Sequence, residues 1–118
     1  MRILVVEDSW HIGIALQSLL RSLGAEVAGP VATAAEADRL VAEQTPEVAL
    51  VDFNLRGGER ANSLIDRLHD LGIRVVVTSG YATVPLEPGK AAAILQKPIS
   101  EAQLLAALRP PLAQKAAP

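Results

Sequence analysis

The sequence predicts an α/β chain folded as a doubly wound parallel sheet, and three observations carry that prediction. Short continuous apolar runs recur along the chain, stretches of helical periodicity separate them, and Gly or Pro punctuates most of the joins. Continuous runs, unlike alternating ones, suit strands covered on both faces, the pattern of a parallel sheet. Regular alternation of strand and helix then calls for right-handed crossovers packed on the sheet. At 118 residues the chain reads as one domain, large enough to bury roughly two-thirds of its unfolded surface.

Each element follows from its residues. Ile3 to Val6 is the first apolar run. Trp10 to Leu23 follows as a helix, with Leu16, Leu19, Leu20 and Leu23 on one side at spacings of three and four. Ser9 is placed to cap its start and Gly24 to end it. Glu26 to Gly29 is a weaker run that suits an edge strand, with Pro30 marking its end. Ala34 to Glu43 is an Ala-rich helix capped by Thr33, and Val48 to Val51 is a strand. Glu59 to Leu71 carries Ala61, Leu64, Ile65, Leu68 and Leu71 at helical spacing, and Gly72 terminates it. Ile73 to Val77 and Ala91 to Leu95 complete a set of five strands. Between these two, Gly80 to Lys90 contains Pro85, Pro88 and Gly89, so a loop or at most one turn is expected. The last helix starts at Ser100, which forms a capping box with Gln103. Leu104, Leu105 and Leu108 make its apolar stripe, and Pro110-Pro111 is expected to stop it after Arg109. The expected organisation is a domain over 1–112 and a flexible tail over 113–118.

Composition narrows the function. Eleven Lys and Arg stand against thirteen Asp and Glu, for a formal net charge of −2. The chain therefore lacks the broad basic face that nucleic-acid binding needs. No apolar run approaches the ~18 residues of a membrane span, and the apolar start breaks at Glu7, too short for a secretory signal. Cysteine is absent, which excludes disulfides and thiolate chemistry and is compatible with a cytoplasmic location.

In an open parallel sheet, ligands bind beyond the carboxyl ends of the strands. Glu7 and Asp8 follow the first run, Asp52 the third, Thr78 and Ser79 the fourth, and Gln96, Lys97 and Pro98 the last. These positions are far apart in sequence, and the fold gathers them at one rim. Three clustered carboxylates are costly without a cation. An all-oxygen donor set selects a hard ion such as Mg²⁺ or Mn²⁺. Lys97 supplies a mobile point charge for phosphoryl oxygens, Ser79 a hydroxyl donor, and a carboxylate can serve as a nucleophile in phosphoryl transfer. Gly57-Gly58 is not a nucleotide loop, because no Gly-rich motif follows the first strand. His11 and His69 read as surface residues, the latter favoured by its place late in a helix. Trp10, beside the rim, suits either packing over the first helix or contact with a partner's helix.

With these residues in view, the sequence resembles the receiver domain of bacterial two-component response regulators. The resemblance covers roughly residues 2 to 109 and rests on Leu4-Val5-Val6-Glu7-Asp8, Val51-Asp52-Phe53-Asn54-Leu55, Thr78-Ser79-Gly80-Tyr81 and Gln96-Lys97-Pro98. It implies a flavodoxin-like strand order 2-1-3-4-5. It further implies that Asp52 is the phosphoacceptor, that Asp8 binds Mg²⁺ directly and Glu7 through water, and that Asn54 offers its backbone carbonyl to the metal. Lys97 is implied to contact the phosphoryl group through a loop whose Lys97–Pro98 bond is cis in most members. Ser79, standing before the small residue Gly80, is implied as the switch hydroxyl in preference to Thr78. Two departures stand out. Ile94 occupies the position, three before the lysine, where the family commonly has Tyr or Phe; Tyr81 is a candidate substitute. The stretch from Ser79 to Lys97 is also short and Pro-interrupted where the family has a fourth helix. The Ser-Gly-Tyr motif and this weak helix resemble an atypical, often stand-alone branch of proteobacterial receivers, associated with histidine kinases of the HWE and related types.

The resemblance implies a phosphorylation-dependent module acting only on itself rather than an enzyme with external turnover. No DNA-binding segment is expected after residue 109. Output by protein contact, by relay to a histidine phosphotransfer protein, or as a phosphate sink all fit such a module. Two other classes use similar residues: a small Mg²⁺-dependent phosphatase or phosphotransferase, and a phosphorylation-independent adaptor. The first would need a substrate cap for which the chain has no insertion. The second has no use for Asp8, Asp52, Ser79 and Lys97 together.

Overall fold

The structure, a computed structural model, describes residues 1–55, 61–80, 85–86 and 89–116, and side chains up to residue 108. Five parallel strands form one sheet: β1 (Arg2–Val6), β2 (Glu26–Val31), β3 (Val48–Asp52), β4 (Arg74–Ser79) and β5 (Ala93–Gln96). Their order is β2-β1-β3-β4-β5, the expected 2-1-3-4-5. Four helices connect or follow them: α1 (Trp10–Ser22), α2 (Ala34–Glu43), α3 (Ala61–Asp70) and α4 (Glu101–Ala116). Among the described residues, no helix lies between β4 and β5, and no helix is long and apolar enough to cross a membrane.

The period of two along each strand divides the core into two halves. Leu4, Val6, Ala49, Val51, Val75 and Val77 face α2 and α3 and pack with Ala37, Val41, Leu64, Ile65 and Leu68. Ile3, Val5, Val48, Leu50 and Val76 face the opposite way, where they pack with Leu20 of α1 and Leu104 and Leu108 of α4. Continuous apolar runs are what this two-sided burial demands. The edge strand β5 obeys a weaker version: Ala93 and Leu95 pack inward, whereas Ile94 is 46% exposed. With no described helix over that face, the Ile94 side chain meets solvent.

The helix ends show which local signals act as expected. The Thr33 hydroxyl accepts from the Glu36 N–H at 3.2 Å. The Ser100–Gln103 box closes in both directions, at 3.0 and 3.1 Å. Gly24, at φ 91°, and Gly72 close α1 and α3 with hydrogen bonds to Arg21 and His69 carbonyls. Ser9 holds the N-cap position of α1 but its side chain makes no capping bond; its N–H instead donates to Glu7. Leu71, expected on the apolar stripe of α3, lies just past the helix and is 60% exposed.

Two proline expectations change. Pro30 does not end β2, which continues to Val31 across a register shift against β1. A Pro is tolerated there because β2 is an edge strand and needs no donor on its outer side. Gly29 precedes it at φ 92°, and a Cβ at that position would lie 2.6 Å from the Val5 carbonyl oxygen. Gly29→Ala is therefore expected to cost about 3 kcal/mol or more, read as a fall in the denaturant midpoint. Nor does Pro110-Pro111 stop α4, which runs to Ala116 and takes in most of the expected tail; Ala117 and Pro118 lie outside the described residues. Pro111 has no N–H for the Ala107 carbonyl, and the Arg74 guanidinium approaches that oxygen at 3.5 Å. The expected extension of α3 back to Glu59 also falls outside the described residues.

Candidate functional site

The carboxyl ends of β1, β3, β4 and β5 converge on one rim. Backbone bonds hold the ends together: the Glu7 N–H donates to Val31, Phe53 to Thr78, and Lys97 to Ser79, at 2.9, 2.8 and 2.7 Å. These contacts fix the first residues beyond the strands, where chain direction would otherwise be free. Lys97–Pro98 is cis.

The carboxylates of Glu7, Asp8 and Asp52 each bring one oxygen within 4.8 Å of the others. Glu7 and Asp52 are 4% and 3% exposed, and Asp8 is partly open. Asp52 is oriented by the Asn54 N–H, which donates to its Oδ1 at 2.9 Å. Glu7 Oε2 accepts the Ser9 N–H at 3.1 Å. Lys97 Nζ donates to Glu7 Oε1 at 2.8 Å and lies 3.3 Å from Asp52 Oδ2. One ammonium thus offsets two buried carboxylates.

Titration follows from this packing. Burial pushes the Glu7 carboxyl above the usual carboxylate range, and Asp52 adds to the rise against the opposing hydrogen bonds from Lys97 and Ser9. Burial disfavours the Lys97 ammonium as well, but the hydrogen bond to Glu7 and the charges of Asp52 and Glu7 outweigh it and hold that group above the ordinary lysine range. The donor set is entirely oxygen, two of its members are buried, and its negative charge exceeds the single ammonium. That chemistry fits a hard divalent cation.

The remaining sequence candidates take clear places. Ser79 and Thr78 end β4 and are both buried, with Thr78 in register with Asp52 and Ser79 with Gln96. Asn54 follows β3 beside Asp52. Trp10, at the start of α1, is 67% exposed. His11 lines an apolar groove of about 550 Å³ between α1 and the Lys97–Ile99 turn. His69 is away from the rim, 3.7 Å from Asp70 at the end of α3. Gly57, Gly58 and Tyr81 lie outside the described residues. Sequence reasoning missed the Glu7–Lys97 pair and the Ser9 N–H that orients Glu7. The former joins strand ends separated by β3 and β4, roughly 14 Å at ordinary strand spacing. Only two long side chains bridge it, and nothing in the local sequence announces the pairing.

No family model and no curated protein sequence matches this chain. Solved structures do. A receiver domain of the PhyR response regulator from Erythrobacter litoralis is 25% identical with a TM-score of 0.81, over 99% of this chain and 93% of that one. A response-regulator receiver domain from Methanospirillum hungatei JF-1 is 25% identical with a TM-score of 0.83, over 98% and 95%. A sensor protein from Polaromonas sp. JS666 is 28% identical with a TM-score of 0.83, over 96% of each chain. The chain has the receiver-domain fold found in many response regulators.

Proposed function

We propose that the chain, over residues 1–112, is a receiver module that accepts a phosphoryl group on Asp52 from the phosphohistidine of a sensor histidine kinase. The observation that carries this reading is the convergence of Asp52, Glu7, Asp8 and Lys97 from three separate segments onto one rim, with Lys97 Nζ 3.3 Å from Asp52. An Asp52 oxygen forms the new P–O bond as the donor's N–P bond breaks, and the imidazole nitrogen keeps the electron pair. Lys97 then turns from a carboxylate oxygen to a phosphoryl oxygen, an exchange of one anionic partner for another that costs little reorganisation. Ser79 donates its hydroxyl to a second phosphoryl oxygen, which shifts the chain beyond Gly80.

Asp8, Asp52 and the Asn54 carbonyl are the proposed Mg²⁺ ligands, with Glu7 acting through water. When bound, the ion neutralises charge on the transferring phosphoryl oxygens. The chemistry is confined to the protein's own phosphorylation and dephosphorylation. A kinase of the HWE type fits the atypical β4–β5 stretch, and output by protein contact, relay to a histidine phosphotransfer protein, or phosphate drainage follows from the same site.

The test is transfer from an autophosphorylated, radiolabelled histidine kinase of the HWE type. Label should leave the kinase in the presence of Mg²⁺ and appear on this chain; label that stays on the kinase throughout contradicts the assignment of that donor.

A further inference from the structure

The chain between β4 and β5 has no described helix to carry it, yet it is fastened. The Asn62 side-chain amide donates to the Pro85 carbonyl at 3.1 Å. Lys90 Nζ lies 3.5 Å from Asp66 Oδ1. Leu86 and Ala91 pack against the core half that α3 covers, and the Ala92 N–H donates to Val75 at 2.7 Å. Asn62 and Asp66 are four apart and share one face of α3. The described residues of the crossover thus meet α3 at two points, Pro85 at Asn62 in its first turn and Lys90 at Asp66 one turn later.

The placement of Asn62 matters more than the strength of its bond. It stands in the first turn of α3, the helix that follows Asp52, and its partner Pro85 lies in the crossover that follows Ser79. One hydrogen bond therefore ties the chain leaving the acceptor strand to the chain leaving the hydroxyl strand. We infer that Asn62 is a positioning residue of the phosphorylation site: its bond to Pro85 holds the crossover, and with it Ser79, in the resting arrangement. The inference rests on the receiver reading and adds to it the element that resists the switch. A contact made in the resting state and lost in the phosphorylated one opposes phosphoryl binding by its own weight. Removing it must favour the phosphorylated arrangement, although Asn62 touches neither Asp52 nor the phosphoryl group.

Beryllofluoride with Mg²⁺, a stable phosphoryl mimic, provides the probe. Its affinity for the full chain is measured by calorimetry for the wild type, Asn62→Ala and Asn62→Asp. The second variant keeps the shape of the side chain and removes the donor. Both are expected to bind the mimic about threefold to tenfold more tightly, the weight of one net hydrogen bond. Both should also exchange the Ala92 amide faster in the absence of the mimic, with β1 and β3 amides unchanged. A purely local structural bond would speed exchange and leave the affinity alone. Unchanged or weakened affinity in either variant overturns the inference while leaving the receiver reading intact. Failure of the wild type to bind the mimic at Asp52 overturns that reading, and this inference with it.

Discussion

Replacing Lys97 by Met is expected to lower the stability of the metal-free protein by roughly 2–3 kcal/mol, and Mg²⁺ is expected to return much of that loss. Glu7 and Asp52 are almost fully buried, and Lys97 Nζ is the cation placed between them at 2.8 and 3.3 Å. Removing one partner of a buried ion pair costs about 3–5 kcal/mol, because the other charge stays in place without compensation. The Lys97 side chain retains 23% exposure, so water screens part of the interaction and brings the cost to the bottom of that range or just below it. The loss should shrink in acid. The Glu7 carboxyl is already raised by burial, and deletion of the ammonium raises it further. A carboxyl raised in the folded state favours folding while protonated and loses that contribution as pH rises through its folded value. A divalent cation among Glu7, Asp8 and Asp52 supplies the missing charge and stabilises by mass action. Thermal melts with and without Mg²⁺ check both parts. A larger Mg²⁺-induced rise in the variant than in the wild type is expected; equal rises would show that Lys97 and the metal do not share these carboxylates. The variant should retain metal binding while phosphorylation no longer shifts amide resonances beyond β4.

Asp52→Asn is expected to remove stable phosphorylation altogether while leaving the fold intact. The amide oxygen can still accept the Asn54 N–H that now reaches Oδ1 at 2.9 Å, so the turn after β3 keeps its support. The change in stability should stay within about 1 kcal/mol, since one like-charge neighbour of Glu7 is removed together with one partner of Lys97. What disappears is the nucleophile: a neutral carboxamide oxygen does not form a stable acyl phosphate. Mg²⁺ affinity should also fall, because one of three anionic donors is gone. Incubation with a small phosphodonor, followed by intact-mass analysis, provides the check; label at the wild-type level in the variant would move the acceptor elsewhere.

The architecture was largely legible in the sequence because two-sided burial leaves an unambiguous trace. Val48 to Val51 and Ile73 to Val77 have no polar alternation to hide their strands, and the residues after each run are the ones the rim gathers. Capping signals that act over three residues, Thr33 to Glu36 and Ser100 to Gln103, were equally readable. Two of the misreadings share a cause: they depend on neighbours distant in sequence. Pro30 looks like a strand end until Val31 is found paired with Val6 across the register shift. Pro111 looks like a helix stop until Arg74 is known to approach the carbonyl it leaves free. Ser9 is a different, local case: Glu7, two residues back, accepts its N–H, and its side chain makes no capping bond. At the site, the carboxylates were visible one by one, but the arrangement that pairs Lys97 with Glu7 across two intervening strands exists only in the fold.

The most direct test of the account is peptide mapping of the wild-type chain after treatment with a small phosphodonor, with and without Mg²⁺. The account predicts a single base-labile phosphoryl group, dependent on Mg²⁺ and located on Asp52. A phosphoryl group on any other residue, or none on folded, metal-bound protein, would contradict it.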